Sequence, residues 1–177
     1  VSDPRLQFGD FPLPVLGLAA RSGTGKTTLL ERLIPALRKV GVRVAVIKHS
    51  HHDIEFDRPG KDSHRLREAG ADQIMLASPY RSFWVCEGDG QKLPPLPELL
   101  ARLDVGRIEL VLLEGYRHLA HARIEVYRAA CGNPPLAPDD PHVIAVAADT
   151  ELDLPLPVLP LNDTEAVRDF VLGLLNR

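Results

Sequence analysis

The chain has 177 residues, 45% hydrophobic and 25% charged, a composition that fits one globular domain with a sizeable core. Its formal net charge of −3 argues against attachment to nucleic acid through a broad basic surface, but leaves room for a local cationic pocket around one phosphorylated small molecule. The apolar runs near 13–20, 108–113 and 143–148 are too short to span a bilayer, and no basic-then-apolar leader precedes them, so a cytoplasmic protein without a membrane anchor is expected.

The chain opens on valine, and residues 1–13 are read as an N-terminal extension ahead of a single domain over 14–177. PVLGLAA (14–20) reads as a short buried strand. From Lys26 the apolar positions Leu29, Leu30, Leu33, Ile34, Leu37 and Val40 recur at helical spacing, with Gly41 as the stop and Pro35 as an expected kink. VRVAVIKH (42–49) is a β-branched second strand, and the polar run to Lys61 is a loop. A short helix over 62–70 follows, then strands at 72–78 and 81–87 joined by a Ser78-Pro79-Tyr80 turn.

Beyond a proline-rich lead into a brief helix (93–103), RIELVLLEG (107–115) is the most strongly buried-looking strand. ARIEVYRAA (122–130) alternates like an edge or half-exposed strand, and HVIAVAAD (142–149) is another buried one. NDTEAVRDFVLGLL (162–175) is an amphipathic helix capped by Asp163 or Asn162. Cys86 and Cys131, with no spacing rule between them, are expected to be reduced thiols. Strands alternating with helices, several continuously apolar, predict an α/β fold with a mainly parallel central sheet covered on both faces, and ligands beyond the carboxyl ends of its strands.

At such an end stands ARSGTGKT (20–27), which matches G-x-x-x-x-G-K-[ST] except that Ala20 replaces the first glycine. Gly23 and Gly25 let the backbone of Ser22, Thr24 and their neighbours curl so that successive N–H groups face an anion, and the following helix adds its own amides and dipole. Lys26 is placed for the β/γ-phosphates, Thr27 for a Mg²⁺ that bridges them, and Thr28 for the α-phosphate. A dinucleotide fingerprint is the rival, but the third glycine is missing and Lys26 has no place in it. The motif therefore predicts a P-loop NTPase-like three-layer sandwich that binds a nucleoside triphosphate.

Glu114, ending an apolar strand, is the candidate carboxylate for Mg²⁺, against the plainer reading of a solvated strand-end acid. KHSHHD offers Lys48, His49, His51, His52 and Asp53 at the same end of the sheet, Asp53 being a candidate to orient an attacking water. The histidine spacing is not that of a helical zinc pair, so ordinary loop histidines stand beside a metal-carrying role. The loop 53–62, with Arg58, Pro59, Gly60 and Lys61, has the composition of a segment that orders around nucleotide or of plain surface loop. Asp149, ending VIAVAAD, is placed to accept from N1–H and N2–H₂ of guanine, which favours GTP over ATP although N-K-x-D is absent. Trp84 and RIEVYR read as packing or dimer surface.

ARSGTGKTTLLERLIPAL, IKHSHHDIEFDRPGKDSHRLREAGA, LVLLEGYRH and VIAVAAD, in this order, resemble the molybdopterin-guanine dinucleotide biosynthesis adapter family, MobB, over about residues 14–175. The resemblance implies a homodimeric GTP-binding protein with weak hydrolysis that assists the guanylyltransferase joining GMP to molybdenum-bound molybdopterin. It implies that Gly23, Thr24, Gly25, Lys26, Thr27 and Thr28 hold phosphates with Glu114 near Mg²⁺, and it places His49, Asp53 and Lys61 in the family's characteristic loop. The proline-rich stretch 133–141 departs from that pattern. With no water-positioning Gln in the motif, and Arg21 a finger only by position, slow hydrolysis is expected. Two other functions remain open at this stage: a GTP-dependent metallochaperone using His49–Asp53, and a small-molecule kinase.

Overall fold

The computed structural model describes residues 2–50, 54 and 60–177. In chain order the elements are β1 (Val15–Ala19), α1 (Lys26–Lys39), β2 (Val44–Lys48), α2 (Asp62–Glu68), β3 (Gln73–Ala77), β4 (Ser82–Cys86) and α3 (Leu96–Leu100), then β5 (Leu110–Glu114), β6 (Arg123–Tyr127), β7 (Val143–Ala148), β8 (Val158–Pro160) and α4 (Thr164–Leu174). The chain forms two compact units, one of residues 2–49 with 97–177, the other the described part of 50–96.

In the first unit six strands form one parallel sheet in the order β2-β5-β1-β6-β7-β8. Side chains alternate between its faces. One face sets Leu16 and Leu18 of β1, Leu112 of β5 and Ile124 of β6 in a common core with Leu29, Leu33 and Leu37 of α1 and Val167 and Val171 of α4. Each fully buried leucine of this kind contributes roughly 1.5–3 kcal/mol. The α1 helix is assigned without a break through Pro35, whose ring lies on the exposed side, where its missing N–H leaves no buried carbonyl orphaned. Asp163 is the cap of α4, accepting from Glu165 N at 3.0 Å and Ala166 N at 3.1 Å. Leu6, in the stretch read as an N-terminal extension, is fully buried in the same core.

The strand β6 corrects the sequence expectation. It is neither an edge nor half-exposed but lies between β1 and β7, with Arg123–Val126 buried. Its alternating polar residues sit on the sheet face opposite α1, each with its own partners. The Arg123 guanidinium donates to the carbonyls of His121 (3.2 Å), Arg117 (2.9 Å) and Leu119 (2.5 Å) and lies 3.3 Å from an Asp140 carboxylate oxygen. The Glu125 carboxylate accepts from Leu136 N at 2.7 Å and Ala137 N at 2.9 Å, fastening the proline-rich stretch to the sheet. The His121 ring packs against the backbone at Gly17. Burial, helped by the Arg123 charge, holds the His121 pKa down from 6.5 to about 4, so the imidazole is neutral at pH 7.

The second unit pairs β3 and β4 antiparallel, with Met75 opposite Trp84 and Leu76 opposite Phe83. Ser78 Oγ accepts from Tyr80 N and Arg81 N, which closes the expected turn. An ion pair of 2.6 Å joins Arg67 of α2 to Glu87. Cross-strand partners share a face, so apolar side chains stand on both faces of this hairpin. Met75 is 71% and Phe83 43% exposed. Among the described residues no helix is long and apolar enough to cross a membrane.

Candidate functional site

The chain after β1 turns sharply before entering α1. Gly23 and Gly25 have φ of 80° and 95°, in the left-handed region that side chains resist, and this is why the turn holds glycines at those two places. Between them the buried Thr24 donates its hydroxyl to the Arg21 carbonyl at 2.8 Å, which closes the turn. Ala20 is buried where the motif has its first glycine, so a methyl group is accommodated. Ser22 and Gly23 are exposed.

Gly25 is the N-cap of α1, which has no side-chain cap and no acid in its first turn. A fourteen-residue helix thus begins with its dipole uncompensated by any side chain of that turn. Lys26, half-buried, and the exposed Thr27 and Thr28 stand on this first turn. The motif's electropositive elements are therefore gathered at one spot.

Register brings two further strands to it. Parallel pairing places Leu18 level with Glu114 and Lys48 level with Glu114, so the ends of β1, β5 and β2 form one rim. Thr27 Oγ1 lies 3.4 Å from Glu114 Oε1 as its donor. Lys48 Nζ lies 3.5 Å from the same oxygen. A hydroxyl oxygen and a carboxylate oxygen converging in this way are hard donors of the sort Mg²⁺ takes, so the residues present fit that ion.

His49 continues from β2, its N–H donating to the Glu114 carbonyl at 2.9 Å. Its ring is 5.4 Å from that of Tyr116. The buried Tyr116 holds a φ of 56°, unusual for a bulky residue, and burial raises its hydroxyl pKa. Along the rim, Arg128 at the end of β6 donates from Nε to the Thr24 carbonyl at 3.0 Å and reaches within 3.7 Å of Asp149. Asp149 also accepts from Ala129 N at 2.9 Å. Asp149, Thr150, Glu151 and Leu152, with Val158–Pro160, line a cavity of ≈ 530 Å³ just past the end of β7 and beside β8.

The structure thus brings Ser22–Thr28, Glu114 and His49 together on one rim, with Asp149 at the cavity farther along it. Lys61 belongs to the second unit, where its carbonyl accepts from Arg65 N at the start of α2. His51, His52, Asp53 and Arg58 lie outside the described residues. Among the described residues no group of three or more His, Cys, Asp or Glu is arranged to hold a metal ion. Lys48 was offered by the sequence together with the histidines that follow it, whereas Arg128 and Tyr116 were not among the sequence-derived site residues. Only their positions at or just past strand ends hinted at them, because what places them is pairing between strands far apart in the chain.

A family model described as molybdopterin guanine dinucleotide synthesis protein B matches residues 15–149. The chain is 45% identical over 164 residues to the molybdopterin-guanine dinucleotide biosynthesis adapter protein of Escherichia coli (strain K12), covering 92% of this chain and 94% of that protein. It is 39% identical to the protein of the same name from Haemophilus influenzae, covering 93% and 90% respectively. A crystal structure of molybdopterin-guanine biosynthesis protein B superposes with a TM-score of 0.73 at 27% identity, covering 92% of this chain and 99% of that one.

Proposed function

The chain belongs to the MobB family, and from that membership and the rim just described we propose that it works as a GTP-binding adapter with weak hydrolytic activity. The coarser role follows from the family itself: the chain is an adapter protein of molybdopterin guanine dinucleotide biosynthesis. One observation carries the finer reading. The amino terminus of α1, with no side-chain cap and no acid in its own first turn, and the Thr27–Glu114 pair meet on the same rim as Lys26. Backbone amides and the Lys26 ammonium would hold the polyphosphate, and Thr27 and Glu114 would hold Mg²⁺. Bound there, the ion would supply neutralisation of the polyphosphate's negative charge.

The base is assigned to the cavity beside Asp149, whose carboxylate suits the N1–H and N2–H₂ donors that guanine has and adenine lacks. Hydrolysis is slow in this reading because the motif carries no water-positioning Gln, while Lys26 stabilises charge on the phosphates. The partner is the guanylyltransferase that attaches GMP to the molybdenum-bound pterin, with the adapter delivering or presenting nucleotide to it.

Calorimetric titration of GTP, GDP and ATP, with and without Mg²⁺, tests the reading. One GTP per chain is expected, tightened by Mg²⁺, with ATP about tenfold or more weaker. Asp149→Ala should bring the two triphosphates together. Absence of heat with every triphosphate would overturn the assignment of the rim.

The working form is a homodimer in this reading, and the β3–β4 hairpin supports it. A two-stranded ribbon with apolar side chains on both faces is marginal in water by itself and calls for a partner surface. Light scattering should give twice the chain mass for the native protein. Met75→Glu combined with Phe83→Glu should give a single chain mass with nucleotide binding retained. A monomeric native protein would remove the dimer from the proposal.

A further inference from the structure

The Glu114 carboxylate is not simply waiting for a divalent cation, because a cation of the chain already stands at it. Lys48 Nζ lies 3.5 Å from Oε1, the oxygen that also accepts from Thr27 at 3.4 Å. The arrangement is imposed by the sheet. Lys48 is the last residue of β2 and pairs in register with Glu114, the last of β5, with the next amide, His49 N, bonded to the Glu114 carbonyl at 2.9 Å. The ammonium is therefore delivered to this carboxylate by backbone pairing, and its side chain is still 56% exposed against 12% for Glu114. A mostly buried carboxylate is costly without a counter-charge, whereas a half-exposed lysine can leave it for solvent at small cost.

We propose that Lys48 is the resident counter-cation of Glu114 and sets how much Mg²⁺ the nucleotide site requires, an inference that rests on reading this rim as a Mg²⁺-nucleotide site. The physical content is a competition. One carboxylate oxygen serves two cations, and whatever stabilises the Lys48–Glu114 pair in the nucleotide-free protein is subtracted from the affinity for the divalent ion. An ion pair with one well-exposed partner is worth up to about fivefold in an equilibrium constant, which sets the size of the effect. The device would keep the buried acid neutralised between nucleotides without closing the site to metal.

The test uses the full chain and a fluorescent GDP analogue, titrated with Mg²⁺ at fixed nucleotide. Lys48→Met should lower the Mg²⁺ concentration at half-maximal enhancement of binding by about fivefold, and Lys48→Arg, which keeps a cation there, should stay near the native value. Circular dichroism should be unchanged in both, as the side chain is largely in water. A Mg²⁺ midpoint in Lys48→Met equal to or above the native one overturns the competition, and so does an equal fall in both variants, since charge would then not be the cause. If the native protein binds the analogue with a clear Mg²⁺ dependence in those cases, only the role of Lys48 is lost. If the native protein shows no nucleotide binding or no Mg²⁺ response, the reading of the rim falls with it.

Discussion

Lys26→Ala is expected to weaken triphosphate binding by about a hundredfold or more while leaving the fold intact. A unit charge pair 4 Å apart near a protein surface is worth about 4 kcal/mol before desolvation is subtracted, and a triphosphate carries several such charges. Lys26 opens α1, whose apolar face is built from Leu29, Leu30, Leu33 and Leu37, so its loss removes a charge from the rim and nothing from the core. Its stability should stay within about 0.5 kcal/mol of native, as for surface substitutions generally. Titration of Mg²⁺-GTP together with thermal melting checks both halves. Native affinity in this variant would mean that the polyphosphate sits elsewhere.

Arg123→Ala should have the opposite signature, a large loss of stability without a direct effect on the phosphate contacts. Removing this guanidinium strands an Asp140 carboxylate and takes the donor from three backbone carbonyls at once. Breaking a buried ion pair by deleting one partner costs about 3–5 kcal/mol, a large share of the stability of a domain this size. Urea unfolding should show the midpoint falling sharply. Combining Arg123→Met with Asp140→Asn should cost less than Arg123→Ala, since neither side then leaves a charge unpaired. An unchanged midpoint in Arg123→Ala would show that the 117–121 carbonyls and Asp140 find solvent without it.

These two positions mark what was legible in the chain. The strand, turn and helix around Lys26 are written locally, in glycines at left-handed positions and leucines at helical spacing, and the sequence pattern places their ends within about a residue of those in the structure. Glu114 was legible for a similar reason, as the acid ending an apolar run. Arg123 and Glu125 were not. Their alternation with Ile124 and Val126 imitates a half-exposed strand, and only the Arg117–His121 carbonyls, Asp140 and the amides of Leu136 and Ala137 make their burial tolerable. The strand β8 carries no strand signal in the sequence because prolines surround it. Pro160 is acceptable there because, among the described residues, β8 pairs only with β7 and forms the sheet edge. Within the site, the apposition of Lys48 to Glu114 depends on β2–β5 register, which no local pattern encodes.

The order of strands in the sheet also governs when the phosphate rim can come into being. Among the described residues, β1 pairs only with β5 and β6, so Val15 finds its neighbour at Val111 and Gly17 at Arg123. A ribosome that has made the glycine turn and α1 has yet to make either flank of the strand that supports them. Until residues 110–127 emerge, that apolar strand is an unsatisfied edge, open to other nascent chains and to chaperones. Long-range closure of this kind is slow, and the phosphate rim is completed only after about a hundred further residues have followed the glycine turn out of the ribosome.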